Sequence, residues 1–194
     1  MKISRIALAA VALATFTGVA QAQDFKFGGQ VTLSKPQGDI GKTDALDGKL
    51  GYGLGLHGML DLKGGHAIVP RLDYTMYKKS DWQGEAGLEF KVNDLKIGAD
   101  YNYYISGKAS EGFYVLGGLG YSSFKWEASM GPASINETKG ALYLAVGAGY
   151  MFTQHVGAEL RYTHAKYTGV GSSLGVPGED QTGPAINASF LFRF

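Results

Sequence analysis

Apolar side chains alternate with small or polar side chains in eight separate stretches of this 194-residue chain. In residues 141–152, for example, Leu142, Leu144 and Val146 share one parity. Because successive side chains of a strand point to opposite faces, a period of two predicts a β-strand with one apolar and one polar face. The eight predicted strands cover residues 24–35, 49–62, 67–77, 95–105, 113–122, 141–152, 156–167 and 184–194.

The polar faces of these strands distinguish a membrane barrel from a soluble sheet. A soluble sheet would present many Lys and Glu side chains to water, whereas here the polar parity carries mainly glycines and few charges. A transmembrane β-barrel carries apolar residues on its outer face and polar residues on its inner face. Closing the sheet into a barrel also pairs every strand edge within the bilayer. We therefore expect an all-β fold, an eight-stranded antiparallel transmembrane β-barrel. Its expected lumen charge network is Lys26, Asp61, Arg71, Asp73, Asp100, Glu159, Arg161 and Arg193.

This network contains four acids and four bases, which suggests that the charges neutralise one another. A barrel of eight strands is only wide enough for side chains to fill it, and a buried charge requires a partner. We therefore expect a closed lumen. The expected pairs are Lys26 with Asp61, Glu159 with Arg193, and Arg71 and Asp73 with Asp100 and Arg161.

The connections between the predicted strands alternate in length. This alternation predicts short periplasmic turns at the end of the barrel that holds both termini, and longer extracellular loops at the other end. The boundaries of the third and fourth strands stay open around residues 78–94, because the sequence alternates there as well; one alternative is that both strands project beyond the membrane, with a tip near residues 80–84. Three connections are short (63–66, 106–112 and 153–155) and three are long and polar (36–47, 128–140 and 168–183).

The amino terminus differs in composition from the rest of the chain. Lys2 and Arg5 precede an apolar run that ends in an A-x-A site at residues 20–22. This order of a positive start, an apolar stretch and a small-residue cleavage site is typical of exported proteins. We predict a secretory signal peptide at residues 1–22 and a barrel domain at residues 23–194.

Several other functional classes receive no support. Gly53, Gly55 and Gly58 have the GxGxxG spacing of a nucleotide-binding turn, but the predicted strand continues through them and no helix follows. A formal net charge of +1 argues against nucleic acid as a partner. The chain lacks cysteine, and its four histidines show no metal-ligand spacing. We expect no cofactor and no metal.

The predicted signal peptide, the segment at residues 113–127 and the end at residues 187–194 resemble the small eight-stranded outer-membrane barrels of Gram-negative bacteria. That group includes the OmpX-like proteins, the OmpA transmembrane domain and the porin-family β-barrel domain. The resemblance implies a location in the cell outer membrane after export to the periplasm. It also implies that Phe190, Phe192 and Phe194 form the carboxy-terminal signal read by the barrel-assembly machinery. The other implied partners are outer-membrane lipid, lipopolysaccharide and an unknown extracellular ligand of the loops; a monomer is expected.

One segment is similar to part of an enzyme. Residues 159–167 are similar to the segment of outer-membrane lipid A deacylases that carries the catalytic histidine, which would be His164. The position of their nucleophilic serine holds Lys166, and an ammonium group cannot replace an activated hydroxyl. We therefore expect a non-enzymatic protein with a structural or surface-interaction role and a side-chain-filled lumen. A narrow porin-like channel for small solutes is the alternative, and a lipid A deacylase-like enzyme is the third possibility. The loop ligand, solute passage and oligomeric state stay open.

Overall fold

The computed structural model describes residues 25–42, 46, 48–81, 88–130, 133–170 and 178–194. The signal peptide predicted at residues 1–22 therefore lies outside the described residues. Strands dominate the described ranges, and no helix in them has the length and apolar character needed to cross a membrane.

Eight antiparallel strands form a closed ring, which confirms the predicted fold class. The ring order is β1, β2, β3, β4, β5, β6, β7 and β9, and β9 pairs again with β1. A four-residue strand, β8, pairs only with the upper part of β7, and a one-turn helix, α1, follows β1. The elements are β1 (Phe25–Pro36), α1 (Gly38–Gly41), β2 (Gly51–Lys63), β3 (His66–Asp81), β4 (Leu88–Tyr104), β5 (Gly112–Met130), β6 (Ala133–Met151), β7 (Val156–Val170), β8 (Glu179–Thr182) and β9 (Ala185–Arg193).

The strands are staggered around the ring. A row of paired residues that starts at Leu33 and passes through β2, β3, β4 and β5 reaches β6 at Thr138. The same row followed through β9 and β7 reaches β6 at Ala148, ten residues away. Closing a sheet with such a stagger requires tilted strands. Rows of neighbouring side chains therefore wind obliquely around the barrel and descend toward the periplasmic end on β9, β7 and β6.

The two faces of the sheet carry opposite chemistry. Large apolar side chains point outward and are exposed, as Leu142 (77%), Leu144 (67%) and Leu56 (66%) illustrate. Polar and charged side chains point into the lumen, where Arg193 is only 2% exposed. This arrangement is the reverse of that in a soluble protein and matches an apolar wall in contact with lipid.

Glycines make room for large side chains in the lumen. A Cβ atom on Gly55, inside the GxGxxG segment, would overlap Asp73 Oδ1. A Cβ atom on Gly120 would lie 2.7 Å from the ring of Tyr143. Strand β2 continues through Gly53, Gly55 and Gly58, so these glycines belong to a strand rather than to a nucleotide-binding turn.

The long connections are more ordered than the sequence predicts. Residues 128–140 were expected to form a loop, but β5 continues to Met130 and β6 begins at Ala133. Within the expected loop at residues 168–183, residues 179–182 form β8. The third strand extends to Asp81, and the fourth strand begins at Leu88. The physical reason is that an antiparallel ladder keeps its backbone hydrogen bonds above the bilayer, where polar side chains are compatible with both faces.

A pair of glycine substitutions tests the filling of the lumen. In Gly120→Val the new side chain would meet the Tyr143 ring and the Ile97 carbonyl, and we expect a loss of about 1–3 kcal/mol in the free energy of unfolding. Gly117→Val is the matched control, because Gly117 lies on the same strand and faces open space. Urea unfolding monitored by tryptophan fluorescence measures both. Equal stability of the two variants would contradict a packed lumen at this level.

Candidate functional site: the lumen, its mouth and the projecting sheet

The lumen has a polar centre between two apolar clusters. The outer cluster closes the extracellular end, and the inner cluster closes the periplasmic end, where Ala109 from the turn between β4 and β5 is buried as well. Outer-cluster members are Ile40, Leu46, Tyr77, Val92, Phe124, Ala141, Tyr143, Ala145, Ala165 and Tyr167. Inner-cluster members are Met59, Ala67, Val69, Tyr104, Ala109, Tyr114, Leu116, Met151 and Leu191.

Five charged side chains meet at the polar centre, which we call the central ion cluster: Arg71, Asp73, Asp100, Glu159 and Arg161. The Arg71 guanidinium donates to Asp73 at 3.1 Å and to Asp100 and Glu159 at 2.9 Å each. Arg161 donates to the other oxygen of Asp100 at 2.5 Å. These contacts join β7 to the neighbouring strands β3 and β4, which β7 does not adjoin in the ring.

Neutral side chains complete the cluster, in which three carboxylates face two guanidinium groups. The Gln30 amide donates to Asp73 and contacts His57 Nδ1 through its oxygen, both at 2.5 Å. The Tyr114 hydroxyl donates to Glu159 at 2.8 Å. These hydrogen bonds stabilise the excess negative charge, as a buried carboxylate requires.

The remaining members of the expected charge network lie outside this cluster. Arg193 donates to the Tyr104 hydroxyl at 2.9 Å and lies 3.2 Å from Met59 Sδ, so the expected contact with Glu159 does not form. The register explains this result, because Glu159 lies opposite Ser189, four residues along β9 from Arg193.

Lys26 and Asp61 also form no ion pair within the described part of the chain. Lys26 is half-buried and lies opposite Met59 on β2. Asp61 lies two residues further along β2, beside the turn, where its carboxylate accepts a hydrogen bond from the Lys63 backbone N–H at 2.7 Å. The expected pairing overlooked this offset of two residues.

A second buried ion pair, Asp94 with Lys96, is not part of the charge network expected from the sequence. The Ser122 hydroxyl donates to Asp94 at 2.5 Å and lies 2.6 Å from the Tyr167 hydroxyl. Lys96 shares its parity with Asp100, so the alternation could have identified it. Asp94 fell in the region whose strand boundaries stayed open.

Little free space remains around these groups. One cavity of about 20 Å³ is bordered by Arg71, Lys96 and Arg161, and another of about 10 Å³ lies under the outer cluster. A cavity needs a volume of about 10–15 Å³ to hold a single water molecule. Each cavity therefore has room for about one water molecule, which is too little for a solute.

The segment after β1 covers the extracellular mouth. Ile40 and Leu46 are buried in the outer cluster. Asp39 accepts hydrogen bonds from the Thr182 backbone N–H at 3.0 Å and from the Thr182 hydroxyl at 2.7 Å. The Gln37 N–H donates to the Pro184 carbonyl at 2.7 Å. We call this set of contacts the mouth latch, because it ties the first long connection to the last one.

Strands β3 to β6 continue beyond the apolar wall. On β5 and β6 the wall ends near the pair Tyr121 and Leu142, but the ladder continues to the pair Met130 and Ala133. These nine further residues correspond to about 30 Å along the strand. By contrast, the ladder between β6 and β7 begins at Tyr143 and Ala165. We call the parts of β3, β4, β5 and β6 above the wall the projecting sheet.

The residues that resemble the deacylase segment do not form a catalytic arrangement. His164 lies opposite Leu144 in the register. In the described ranges it has no hydroxyl or carboxylate within hydrogen-bond distance. Lys166 forms an exposed ion pair with Asp180 at 3.0 Å. The described residues also contain no group of three His, Cys, Asp or Glu side chains that could hold a metal ion.

Comparisons with known proteins agree with this architecture. A family model described as outer membrane protein beta-barrel domain matches residues 6–194. No curated protein sequence matches the chain. Ail, the attachment invasion locus protein of Yersinia pestis, is similar in structure with a TM-score of 0.58 at 13% identity, over 89% of this chain and 99% of that one.

Two further structures show the same similarity. Neisserial surface protein A (NspA) has a TM-score of 0.53 at 15% identity and covers 88% of this chain and 97% of its own. A major outer membrane protein from Thermus thermophilus has a TM-score of 0.56 at 15% identity, over 88% of this chain and 99% of that one. Identities this low establish a shared fold, and the fold does not determine an activity.

Removing one cation tests the central ion cluster. We expect Arg71→Gln to lower the free energy of unfolding by about 3–5 kcal/mol, because Asp73, Asp100 and Glu159 lose a shared buried partner. Lys125→Gln is the control, since it breaks only a partly exposed pair with Glu127, for which we expect a loss below about 1 kcal/mol. Urea unfolding measures both. Equal losses would show that the cluster contributes no more than a surface ion pair.

Acid pH tests the mouth latch. The hydrogen bonds from Thr182, the backbone N–H first, hold the pKa of the Asp39 carboxyl below its usual value of 3.8. Because the pKa of Asp39 is lower in the folded than in the unfolded chain, its ionised carboxylate stabilises the latch at neutral pH. This stabilisation is lost as the pH falls below 3.8 and through the folded-state pKa. We expect faster hydrogen exchange of residues 179–185 at that pH, after correction for the intrinsic rate. In Asp39→Asn this pH dependence should disappear; its persistence would assign the effect to another group.

Proposed function

The chain belongs to the outer membrane protein β-barrel domain family and lies in the outer membrane, and from this premise we propose that it acts as a non-enzymatic surface-interaction protein. In this proposal the barrel is an anchor. The projecting sheet and the long connections are the parts that contact partners outside the cell.

The filled lumen is the observation that supports this proposal most strongly. The central ion cluster crosses the barrel, both ends are covered by apolar clusters, and the cavities between them have room for about one water molecule each. A path for solutes would require these buried ion pairs to separate. Transport therefore has less support than a role at the surface.

The projecting sheet offers a rigid surface for such a role. Its ladder runs from β3 to β6 with one register shift between Tyr77 and Ser80, and it presents exposed or half-exposed side chains such as Lys91, Asn93, Glu127 and Asn136. Phe124 is buried in the outer cluster, and Trp126 packs against that cluster and donates to Glu137 at 3.0 Å. The sheet is thus fixed to the closed mouth, and little ordering entropy would be lost when a partner binds.

The charges of this surface favour a partner of mixed polarity. On the projecting sheet Lys125 pairs with Glu127 at 3.6 Å and Lys139 with Glu137 at 3.3 Å, and outside it, between β7 and β8, Lys166 pairs with Asp180 at 3.0 Å. Ail has been solved with the heparin analogue sucrose octasulfate. In this chain, neighbouring acids neutralise these three lysines, so a highly sulfated glycan is a less suitable partner than a protein or a neutral glycan.

A shortened hairpin tests the proposed function. In the variant, an Asn-Gly turn replaces residues 125–138 and joins Phe124 to Lys139, which are partners in the register. Barrel insertion is checked by the heat-dependent gel shift of outer-membrane fractions. Attachment of whole cells to glycan arrays and to immobilised matrix proteins is then compared between the native protein, the variant and cells without the protein.

We expect the variant to insert normally and to support attachment no better than cells without the protein. A control that exchanges Lys125 and Glu127 keeps the length of the hairpin and its net charge. This control separates the effect of hairpin length on attachment from the effect of the local charge arrangement. Attachment that is equal with the native and the shortened protein, or equal with and without the native protein, would contradict the proposal.

A further inference from the structure

Strand β2 places a histidine, His57, inside the barrel. Its side chain is buried and lies opposite Arg71 on β3 in the register. The ring also packs closely against β1, where a Cβ atom on Gly28 would overlap His57 Nε2. Because an imidazole can be neutral or charged at physiological pH, its protonation state decides which hydrogen bonds it forms with the surrounding strands.

His57 is the middle member of a hydrogen-bonded chain that leads from β3 to β9. At one end of the chain, the Asp73 carboxylate accepts from Gln30 Nε2 at 2.5 Å. The Gln30 oxygen contacts His57 Nδ1 at 2.5 Å, and at the other end Arg193 Nε donates to His57 Nε2 at 3.4 Å. Arg193 also donates to the hydroxyl of Tyr104, a member of the inner cluster. The chain therefore links the central ion cluster to the inner cluster.

The two ends of this chain fix the position of every proton in it. An ionised carboxylate only accepts hydrogen bonds, and a guanidinium only donates them. Asp73 therefore holds the amide nitrogen of Gln30, so the Gln30 oxygen faces His57 and accepts from Nδ1–H. Because Arg193 donates to Nε2, that nitrogen presents a lone pair. His57 is thus neutral in the folded barrel, with its one ring proton on Nδ1.

A second proton on His57 would break this chain at Arg193. The new Nε2–H would point at the Arg193 N–H, so that two donors and two cations would meet in a buried site. Neither group could then satisfy the other, and a buried charge without a partner is strongly destabilising.

The other charges around the ring do not offer a partner to a charged His57. Asp73 and Glu159 are already bound by Arg71, and Asp61 accepts from the Lys63 backbone beside the turn. The inward charged residues on the strands that surround the ring, apart from Arg193, are Lys26 on β1, Asp61 on β2, Arg71 and Asp73 on β3, and Glu159 on β7.

We propose that His57 is an acid-sensitive lock of the periplasmic half of the lumen, which holds Arg193 against the inner cluster while neutral and releases it when protonated. The unfolded chain takes up this proton with the ordinary histidine pKa of about 6.5. The contribution of the lock to stability is therefore present above pH 6.5 and is lost as the pH falls below that value. This inference goes beyond the proposed function, because it concerns the lumen and not the projecting sheet.

Urea unfolding of the purified protein at pH 7.5 and at pH 5.5 tests the lock. His57→Gln preserves both hydrogen bonds, because an amide oxygen can accept from Arg193 and an amide nitrogen can donate to Gln30, but it takes up no proton. His155→Gln is the matched control, since His155 is exposed and contacts the same strand end, at the Arg193 carbonyl, at 2.9 Å. Ordinary carboxyl groups stay ionised over this range of pH.

For the native protein we expect the unfolding equilibrium constant to be about tenfold larger at pH 5.5 than at pH 7.5, which is the change that one proton with a pKa of about 6.5 allows. The ratio of the two constants should be unchanged in His155→Gln and about tenfold smaller in His57→Gln. Equal ratios in the native protein and His57→Gln, or an equal reduction in His155→Gln, would overturn the proposal.

Two measurements on the native protein test the lock even if His57→Gln fails to fold. Nitrogen NMR of histidine-labelled protein should show a neutral His57 ring with its proton on Nδ1 at pH 7.5; a charged ring at this pH would contradict the lock. At pH 5.5, hydrogen exchange corrected for the intrinsic rate should become faster at residues 57–59 and 191–193. Residues 143–145 and 163–165, at the outer end of the ladder between β6 and β7, are the internal control. An equal increase in both regions would contradict a lock confined to the periplasmic half.

Discussion

The neutralisation of buried charge inside the barrel is the constraint on which the rest of this structure depends. Arg71 contacts three carboxylates at 2.9–3.1 Å, and Arg161 holds the far side of Asp100. In a lumen of low dielectric constant these charged side chains are stable only as a paired cluster, since any one of them buried alone would carry a large desolvation cost. The cluster therefore fixes the relative height of β3, β4 and β7, and with it the register of the closed sheet.

A filled lumen supports the proposal that the protein acts through its outer surfaces. Because the apolar clusters and the mouth latch cover both ends, the part of the chain that the structure describes offers two large accessible surfaces, the lipid-facing wall and the projecting sheet. The two surfaces differ in chemistry. The wall is apolar apart from residues at its edge such as Lys35, whereas the projecting sheet carries paired charges of both signs.

Most of the fold could be predicted from the sequence, since the period-two alternation depends on local geometry and the bilayer requires a closed sheet. The parity of Arg71, Asp73, Asp100, Glu159 and Arg161 also placed these side chains on the inner face. The sequence could not give the register between strands. It therefore wrongly paired Glu159 with Arg193, and it missed the contact between Asp94 and Lys96. The extension of β5 and β6 in the projecting sheet was also missed, because their outward parity becomes polar above the wall, whereas the alternation at residues 78–94 had left a projection of the third and fourth strands open.

Electrical recording in a planar lipid bilayer tests the central claim most directly, because ion flow requires a continuous path through the lumen. The native protein, inserted and verified by its heat-dependent gel shift, is predicted to give no steady conductance above that of the bare bilayer. Large and stable single-channel currents from the unmutated protein would contradict the sealed lumen and would favour a role as a channel for small solutes.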